Sequence, residues 1–334
     1  MKLISPYLLF LGNAPDQLAA KSAQGIVDWR PELARGQLRL PGCAADVGLP
    51  DMSLRDASAQ GVKTLIIGIA NAGGFLPEAW TGILVSALEA GLDVASGLHA
   101  RLEDVPEIRA AAAHYNRRLI DIRTAAQNLP VGTGQPRTGH RMLTVGTDCS
   151  VGKMYATLAV EAEMKRRGIP ALFCATGQTG IFIAGSGVPV DAVAADFISG
   201  AIEQLTPDNP NGHWDLVEGQ GSLFHPSFAG VSLGLLHGAQ AEALILCHEP
   251  TRTHMRGLPQ QPLPSLSICV EANLEAARLT CPHVRCVGVA VNTSHIAQDK
   301  VQVILDQIED ELAIPAVDPF ASGAGRLVDA LLAP

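Results

Sequence analysis

Residues 143–170 read LTVGTDCSVGKMYATLAVEAEMKRRGIP: an apolar run, a glycine-bounded turn and a helical pattern in succession. A turn of this kind between a strand and a helix is the setting in which a phosphate-binding loop is credible. Backbone N–H groups from Gly146 to Gly152 can form an anion-binding concavity, to which the helix N-terminus adds partial positive charge and Lys153 a full charge. The stretch therefore predicts the strand, phosphate loop and first helix of a P-loop-type α/β domain.

The residue after Lys153 is unusual for such a loop. A Ser or Thr normally stands there, and its hydroxyl holds magnesium, but this chain has Met154. A thioether is a soft, weak acceptor that does not ligate hard Mg²⁺. Thr147, Ser150 or Glu218 could supply oxygen ligands instead, so a metal stays possible without being required. A loop that grips a diphosphate without hydrolysing it fits these residues better, and coenzyme A carries such a diphosphate.

The composition narrows the class of protein. A chain of 334 residues is too long for one average core, and 47% hydrophobic with 17% charged residues indicates a well-packed enzyme. A net charge of -9 repels polyphosphate backbones, which argues against a nucleic-acid partner. Seven cysteines without a CxxC pair indicate reduced thiols in a cytoplasmic protein. No run of 18 apolar residues appears, so we expect no membrane span.

Apolar runs alternate with helical patterns on both sides of a Gly- and Pro-rich stretch at 127–141. This rhythm predicts parallel sheets with crossover helices, and the stretch predicts a domain boundary, giving domains 1–135 and 136–334. The predicted strands are 7–14, 63–74, 93–99 and 117–123 in the first domain, and 141–146, 170–176, 214–219, 241–247, 266–272 and 285–292 in the second. Predicted helices include 80–93 and 325–333.

Longer strings carry a family resemblance. GTDCSVGK (146–153) and LVEGQGS (216–222) are similar to the loop and the EGAGG motif of dethiobiotin synthetase and related amide-forming ATPases. GIANAGG (68–74), ATGQTGIFIAGSGVPVDAVAADFISGA (175–201), VEGQGSLFHPSFAGVSLGLLHGAQ (217–240) and LCHEPTR (246–252) are more specific. With the loop, they resemble the bacterial D-glutamate N-acetyltransferases of the DgcN type, a family long catalogued as a domain of unknown function.

The resemblance covers essentially the whole chain. It implies an N-terminal Rossmann-like domain followed by a P-loop-type domain with a mostly parallel sheet. It also implies acetyl transfer from acetyl-CoA, as co-substrate, to the amino group of D-glutamate in D-amino-acid breakdown. Small molecules would then be the partners. The apolar composition favours a homo-oligomer, and the missing hydroxyl at Met154 means that Mg²⁺ is not expected to be required. Two other readings stay open: an ATP- and Mg²⁺-dependent amide- or carboxylate-activating enzyme, and a non-enzymatic nucleotide or coenzyme A sensor.

The chemistry of amide formation selects candidate residues. An amine attacks a thioester only when unprotonated, so a positioned base is expected. Glu218, at a strand end before glycines, and His225 are the first candidates, ahead of His248 and Glu249. Glu218 could instead ligate a metal, and His225 could be a structural histidine. No Cys–His nucleophile arrangement appears, although a helix N-terminus could activate Cys149 by lowering its pKa.

Two sets of binding residues follow from the loop and from the substrate carboxylates. Arginine matches carboxylates bidentately, and glycines permit close backbone approach. The predicted coenzyme A contacts are Gly146, Thr147, Asp148, Cys149, Ser150, Val151, Gly152, Lys153, Met154 and Gln178. The predicted amino-acid contacts are Asn71, Gly73, Gly74, Arg123 and Arg252.

Overall fold

A computed structural model describes residues 3–70, 74–124 and 128–333 of the chain. The chain divides into two compact units, unit 1 with Met1–Ala125 and Gln178–Ala192, and unit 2 with Ala126–Gly177 and Val193–Pro334. A segment from the second half of the sequence is therefore part of the first unit. None of the helices in the described ranges combines the length and apolarity needed to cross a membrane.

Both units are built from strands that alternate with helices along the chain, as the rhythm of apolar runs predicted. The strands are β1 (Tyr7–Gly12), β2 (Ala34–Arg39), β3 (Thr64–Ile67), β4 (Asp93–Ser96), β5 (Leu119–Asp121), β6 (His140–Gly146), β7 (Ala171–Cys174), β8 (Trp214–Val217), β9 (Ala243–His248), β10 (His254–Met255), β11 (Leu258–Pro262), β12 (Arg285–Val291) and β13 (Ala316–Val317). The helices are α1 (Lys21–Trp29), α2 (Leu54–Ala59), α3 (Thr81–Glu89), α4 (Pro106–Tyr115), α5 (Lys153–Arg166), α6 (Gln178–Ala184), α7 (Ile198–Leu205), α8 (Ala229–Ala239), α9 (Leu266–Arg278), α10 (Gln298–Leu312) and α11 (Gly325–Leu332).

Unit 1 contains a five-stranded parallel sheet in the order β2-β1-β3-β4-β5. All six residues of β1 are buried, as a sheet covered on both faces requires. The strand order reverses between β1 and β3, the position where open α/β sheets usually bind ligands. Here a Cβ on Gly12, the last residue of β1, would lie 2.6 Å from the Trp80 indole. Trp80 therefore fills the space at the end of β1.

Unit 2 contains a six-stranded parallel sheet in the order β13-β12-β9-β6-β8-β7, with a β10–β11 hairpin after β9. The strand that leads into the phosphate loop, β6, lies between β8 and β9. Leu143 pairs with Val217, and Gly146 pairs with Cys247. The loop, Glu218 and His248 consequently emerge at one edge of the sheet, from three adjacent strands. These two parallel sheets confirm the predicted α/β class.

The predicted strand at 266–272 is wrong, because this segment begins helix α9. The Ser265 hydroxyl accepts a hydrogen bond from the Ile268 N–H and caps the helix. The buried residues of α9 recur at helical spacing, and they are Leu266, Cys269, Asn273 and Ala277. A short apolar run can belong to a strand or a buried helix, and the cap and the spacing decide between them.

Candidate active site

The phosphate loop joins β6 to α5. Gly146 ends the strand, Lys153 opens the helix, and the backbone between them turns through positive φ at Ser150 (55°) and Gly152 (101°). A side chain is strained at φ near 101°, so glycine suits position 152. Within the described residues, the backbone N–H groups of 150–154 have no protein acceptor. They are a row of donors at a helix N-terminus, which is the arrangement that binds phosphate.

Lys153 is buried over the start of the loop, with 7% of its surface exposed. Its Nζ donates to the backbone oxygen of Asp148 at 2.8 Å, and a Cβ on Gly146 would lie 2.9 Å from that Nζ. Burial lowers the pKa of the ammonium group, and the carboxylates of Asp148 and Glu218 oppose that shift. An ammonium group has three N–H donors, so Lys153 can donate to this oxygen and still bind an anionic ligand.

The hydroxyls that could replace the missing one at position 154 are engaged with other side chains. Thr147 Oγ1 lies 3.2 Å from His248 Nδ1, and Ser150 Oγ accepts from the guanidinium of Arg256. Met154 itself is half-buried. The loop therefore presents backbone donors and Lys153 to a ligand, with no hydroxyl in the position that usually binds Mg²⁺.

Asp148 fastens the segment after β9 to the loop. Its buried carboxylate accepts from the Arg252 guanidinium at 2.8 Å and from the Arg256 N–H at 2.7 Å. Arg252 also donates to the backbone oxygen of Cys149 at 2.5 Å and pairs with Glu249. The structure thus places Arg252, predicted to bind a substrate carboxylate, among protein acceptors of the loop. The backbone oxygen of Asp148 accepts from Lys153 Nζ, so Asp148 also positions the lysine.

The pKa of the Cys149 thiol is raised, whereas the helix N-terminus was expected to lower it. Burial raises the pKa of its thiol and outweighs the opposing charges of Lys153, Arg256 and Arg252. The expected lowering by the helix N-terminus is therefore corrected, since desolvation disfavours the thiolate. Ligand atoms of Asp148, Cys149 and His225 lie within 4.8 Å of one another, a spacing that a metal ion could bridge. The Asp148 oxygens and the His225 nitrogens already have hydrogen-bond partners, which makes this a weak metal site.

Glu218 follows β8 and is buried, with 3% of its surface exposed. One carboxylate oxygen accepts from the backbone N–H groups of Thr176 at 2.9 Å and Gly177 at 3.0 Å, and the other from the Gln220 amide at 3.0 Å. Burial raises its pKa above the ordinary value of 4.5, although these donors and Lys153 oppose the shift. The two backbone donors follow β7, which the sequence signalled only as a strand end followed by glycine, and Gln220 follows β8.

A close approach fixes Glu218 against the loop. The next residue, Gly219, donates its N–H to Thr144 Oγ1 at 2.9 Å, and a Cβ there would overlap the Thr144 backbone oxygen. The same Cβ would lie 3.0 Å from Lys153 Cδ. Glycine is required at 219 for this packing, which brings the carboxyl group into the electrostatic neighbourhood of Lys153.

The two histidines of the site differ in their surroundings. His225 is buried, its Nδ1 accepts the Ser227 N–H at 3.2 Å, and its Nε2 lies 3.1 Å from the Arg256 backbone oxygen. Both ring nitrogens of this candidate base are thus occupied by the protein. His248, at the end of β9, has its pKa lowered to about 4 by burial and is neutral at neutral pH. His248 remains a second candidate base.

Three predicted residues come together in unit 1, at the carboxyl edge of its sheet. Arg123 Nε donates to the Gly97 backbone oxygen at 2.7 Å and lies 3.4 Å from Gln178 Oε1, and its Nη1 pairs with Asp191. Gly74 has φ of 59°, and a Cβ there would lie 2.8 Å from the backbone nitrogen of His99. Gln178, predicted beside the phosphate loop, therefore belongs to the other unit.

His99 and Asp191 are members of this cluster that the sequence did not assign. The charge of Arg123, followed by burial, lowers the pKa of His99. Asp191 reaches Arg123 because the chain carries Gln178–Ala192 into unit 1, a path with no local sequence signal. Asn71 and Gly73, also predicted to contact the amino acid, lie outside the described residues.

Comparisons with known proteins agree with this architecture. A Rossmann-like domain of the DUF1611_N family matches residues 38–125, and the DUF1611_C P-loop domain matches residues 130–328. A crystal structure of a DUF1611 family protein from Anabaena variabilis superposes with a TM-score of 0.88 at 29% identity, covering 98% of this chain and 99% of that one.

Two curated relatives are similar over nearly their full lengths. The D-glutamate N-acetyltransferase of Tritonibacter scottomollicae is 56% identical over 98% of this chain and 99% of its own. The D-glutamate N-acetyltransferase of a Pseudoalteromonas species is 48% identical over 98% of this chain and 99% of its own. These matches confirm the resemblance that the motifs indicated. The chain therefore belongs to the DUF1611 family, and 98% of it is similar to two D-glutamate N-acetyltransferases.

Proposed function

We propose that this protein transfers the acetyl group of acetyl-CoA to the amino group of D-glutamate, giving N-acetyl-D-glutamate and coenzyme A. The observation that carries the proposal is the 56% identity, over 98% of the chain, to an enzyme with that name. The geometry of unit 2 supports it, because the phosphate loop offers donors and a buried ammonium group but no hydroxyl after Lys153. Such a loop holds a diphosphate without positioning Mg²⁺ for its hydrolysis.

In this proposal the phosphate loop binds the ligand and takes no part in the chemical step. The N–H groups of 150–154 and Lys153 would bind the diphosphate of coenzyme A, with the α5 N-terminus adding favourable charge. Asp148 and Arg252 would keep the loop in shape, since both are already committed to contacts within it. Preorganised donors cost no rearrangement when the ligand arrives.

Glu218 is the proposed general base. The amine nitrogen of the acceptor attacks the thioester carbonyl carbon, the carbon–sulfur bond breaks, and the coenzyme A thiolate leaves. The proton lost by the amine passes to the Glu218 carboxylate and can return to the departing sulfur. A pKa raised by burial makes this carboxylate a stronger base than an exposed one. His225, with both ring nitrogens bonded, positions the Arg256 backbone beside Asp148.

Arg123 is the proposed ligand for a carboxylate of D-glutamate, with Gly74 and His99 beside it in unit 1. Its present partner, Asp191, is 43% exposed and can give way to a substrate carboxylate. Direct attack without an acyl-cysteine intermediate is proposed, because burial makes the Cys149 thiol less acidic. Action in the cytoplasm and assembly into a homo-oligomer stay predictions.

The test is the release of free thiol from acetyl-CoA by the purified protein. Parallel reactions contain D-glutamate, L-glutamate, D-aspartate or no acceptor, each in EDTA without nucleotide and again with ATP and Mg²⁺. We expect rapid release with D-glutamate and a product with the mass of N-acetylglutamate. Activity that requires ATP and Mg²⁺ and releases ADP would instead identify an amide- or carboxylate-activating enzyme. Tight binding of coenzyme A without transfer to any acceptor would identify a sensor.

A further inference from the structure

Two aromatic rings stand beside the phosphate loop in unit 2. Tyr155 is the third residue of α5, two positions after Lys153, and its ring centroid lies 5.4 Å from that of Phe320 with the planes at 72°. Phe320 is 60% exposed, although it is a large apolar side chain. An exposed ring supported by a second ring offers a flat face to a ligand, as in proteins that stack bases on aromatic side chains.

The loop that presents Phe320 is held rigidly. It follows β13, and the Asp318 carboxylate accepts from the backbone N–H groups of Phe320 and Ala321, each at 3.0 Å. The same carboxylate accepts the Thr293 N–H at 3.1 Å and the Thr293 hydroxyl, which ties this loop to the end of β12. The exposed position of Phe320 is therefore built into the structure, and is not the result of a loose surface loop.

The ends of β12 and β13 lie on one side of the phosphate loop. A Cβ on Gly152 would lie 4.0 Å from Cβ of Asn292, the residue after β12. The Asn292 Oδ1 accepts the Ser294 N–H at 3.1 Å, a bond that does not use its amide N–H₂ donor. An asparagine amide hydrogen-bonds well with the edge of adenine. An aromatic face and an amide thus adjoin the loop proposed to bind the diphosphate.

Glu218 lies on the opposite side of the loop. In the sheet order β13-β12-β9-β6-β8-β7, the base follows β8, whereas Phe320 and Asn292 follow β13 and β12. Acetyl-CoA has the same linear order: adenosine at one end, the diphosphate in the middle, and the thioester at the other end. The order of groups along the sheet edge matches the order of groups along the ligand.

We propose that Phe320, Tyr155 and Asn292 form the adenine subsite of coenzyme A, so that the ligand lies along the unit 2 sheet edge with its thioester towards Glu218. This inference rests on the proposed function and adds a direction and a specificity determinant to it. The subsite explains why an exposed phenylalanine is fixed by a buried carboxylate beside a phosphate loop. It also predicts that the adenosine part of the ligand contributes to affinity.

The test is calorimetric titration of Phe320→Ala with coenzyme A and with 4′-phosphopantetheine, which keeps the pantetheine arm and one phosphate but lacks the second phosphate and the 3′-phosphoadenosine group. Loss of the stacking ring should weaken coenzyme A binding by about tenfold or more, with no change for 4′-phosphopantetheine. Phe320→Tyr should restore coenzyme A affinity. Leu279→Ala is the matched control, because Leu279 is 77% exposed in the same unit, next to the end of α9 and before β12 begins.

The outcomes separate this inference from the proposed function. Unchanged coenzyme A affinity in Phe320→Ala, or an equal loss for both ligands, overturns the adenine subsite while acetylation of D-glutamate by the wild-type protein stands. A wild-type protein that does not bind coenzyme A overturns both proposals. Because Phe320 is exposed, the variant should keep the melting temperature of the wild type. Thermal unfolding of the preparation used for calorimetry checks this.

Discussion

Lys153 shows how one residue can be costly for folding and still favoured by function. Its ammonium group is buried, and burial lowers its pKa. Burying this charge costs folding free energy that a neutral residue would not cost. The Asp148 backbone oxygen, 2.8 Å from Nζ, offsets part of that cost. An anionic ligand would offset the rest, which is the expected state of a phosphate-loop lysine.

Lys153→Met should therefore separate binding from stability. We expect kcat/KM for acetyl-CoA to fall about 10- to 100-fold, because a charge-assisted hydrogen bond to phosphate is lost. The melting temperature of the free protein should not fall, since a buried charge is removed. Steady-state kinetics and thermal unfolding measure the two effects, and Lys300→Met, at an exposed position of α10 in the same unit, is the control. An unchanged KM for acetyl-CoA would contradict the role of the loop.

Glu218 carries a pH dependence of defined sign. Its folded-state pKa lies above the unfolded value, so protonation stabilises the fold at low pH, and this contribution is lost as pH rises through the folded pKa. Glu218→Gln keeps an oxygen for the Thr176 and Gly177 N–H groups and removes the charge. We expect kcat to fall about 100-fold or more, with a melting temperature at neutral pH that is unchanged or higher.

The pH profile of kcat/KM then identifies the base. With Glu218 as base, activity is lost as pH falls through an apparent pKa above 4.5, and this limb disappears in Glu218→Gln. With His248 as base, the limb lies near its pKa of about 4 and persists in that variant. Measurement of both proteins between pH 4 and 8 distinguishes the two residues.

At the scale of elements, one arginine donates hydrogen bonds to the C-terminal ends of two helices in unit 2, α7 and α8. Arg137, in the Gly- and Pro-rich stretch before β6, donates to backbone oxygens of Glu203 at 3.1 Å, Thr206 at 2.7 Å and Gly238 at 2.6 Å. These oxygens lie at the C-terminal ends of α7 and α8, where a cation is favourable. The stretch that composition marks as a linker therefore holds two helices together.

Arg137→Met should destabilise the protein without affecting the chemistry. Loss of charge-assisted hydrogen bonds to several buried carbonyl groups should lower the free energy of unfolding by about 3 kcal/mol. Because Arg137 precedes β6 and the phosphate loop follows it, KM for acetyl-CoA should stay within about twofold of the wild type, a change that corresponds to less than 1 kcal/mol. Urea unfolding gives the first quantity, and kinetics below the melting temperature give the second. An unfolding midpoint equal to that of the wild type would show that the caps are dispensable.

At the scale of the whole molecule, the residues proposed to bind the two substrates belong to different units. The phosphate loop and Glu218 belong to unit 2, and the Arg123 cluster belongs to unit 1, which recruits Gln178–Ala192 from the second half of the sequence. The residue before this segment, Gly177, donates to Glu218, and the first residue of the segment, Gln178, lies beside Arg123. Each unit therefore contributes the residues of one proposed binding site.

Arg123→Met should affect only the acceptor. We expect KM for D-glutamate to rise about 10- to 100-fold through loss of a bidentate carboxylate partner, with KM for acetyl-CoA unchanged. Arg101→Met is the control, since this arginine is half-exposed in the same unit and pairs with Glu103. Equal changes for both substrates, or a change only for acetyl-CoA, would exclude Arg123 as the acceptor ligand.

The sequence alone determined the alternation of strands and helices, the phosphate loop with its Met154, and the family, because each is written in local spacing. It failed at 266–272, where a short apolar run fits a strand or a buried helix equally well until the cap at Ser265 is considered. Only the tertiary structure decided that Gln178 and Asp191 join Arg123, that Arg252 is tied to Asp148, and that Phe320 stands beside Tyr155. These pairs are far apart along the chain, and strand order and the path of a crossing segment, which no local pattern encodes, bring them together.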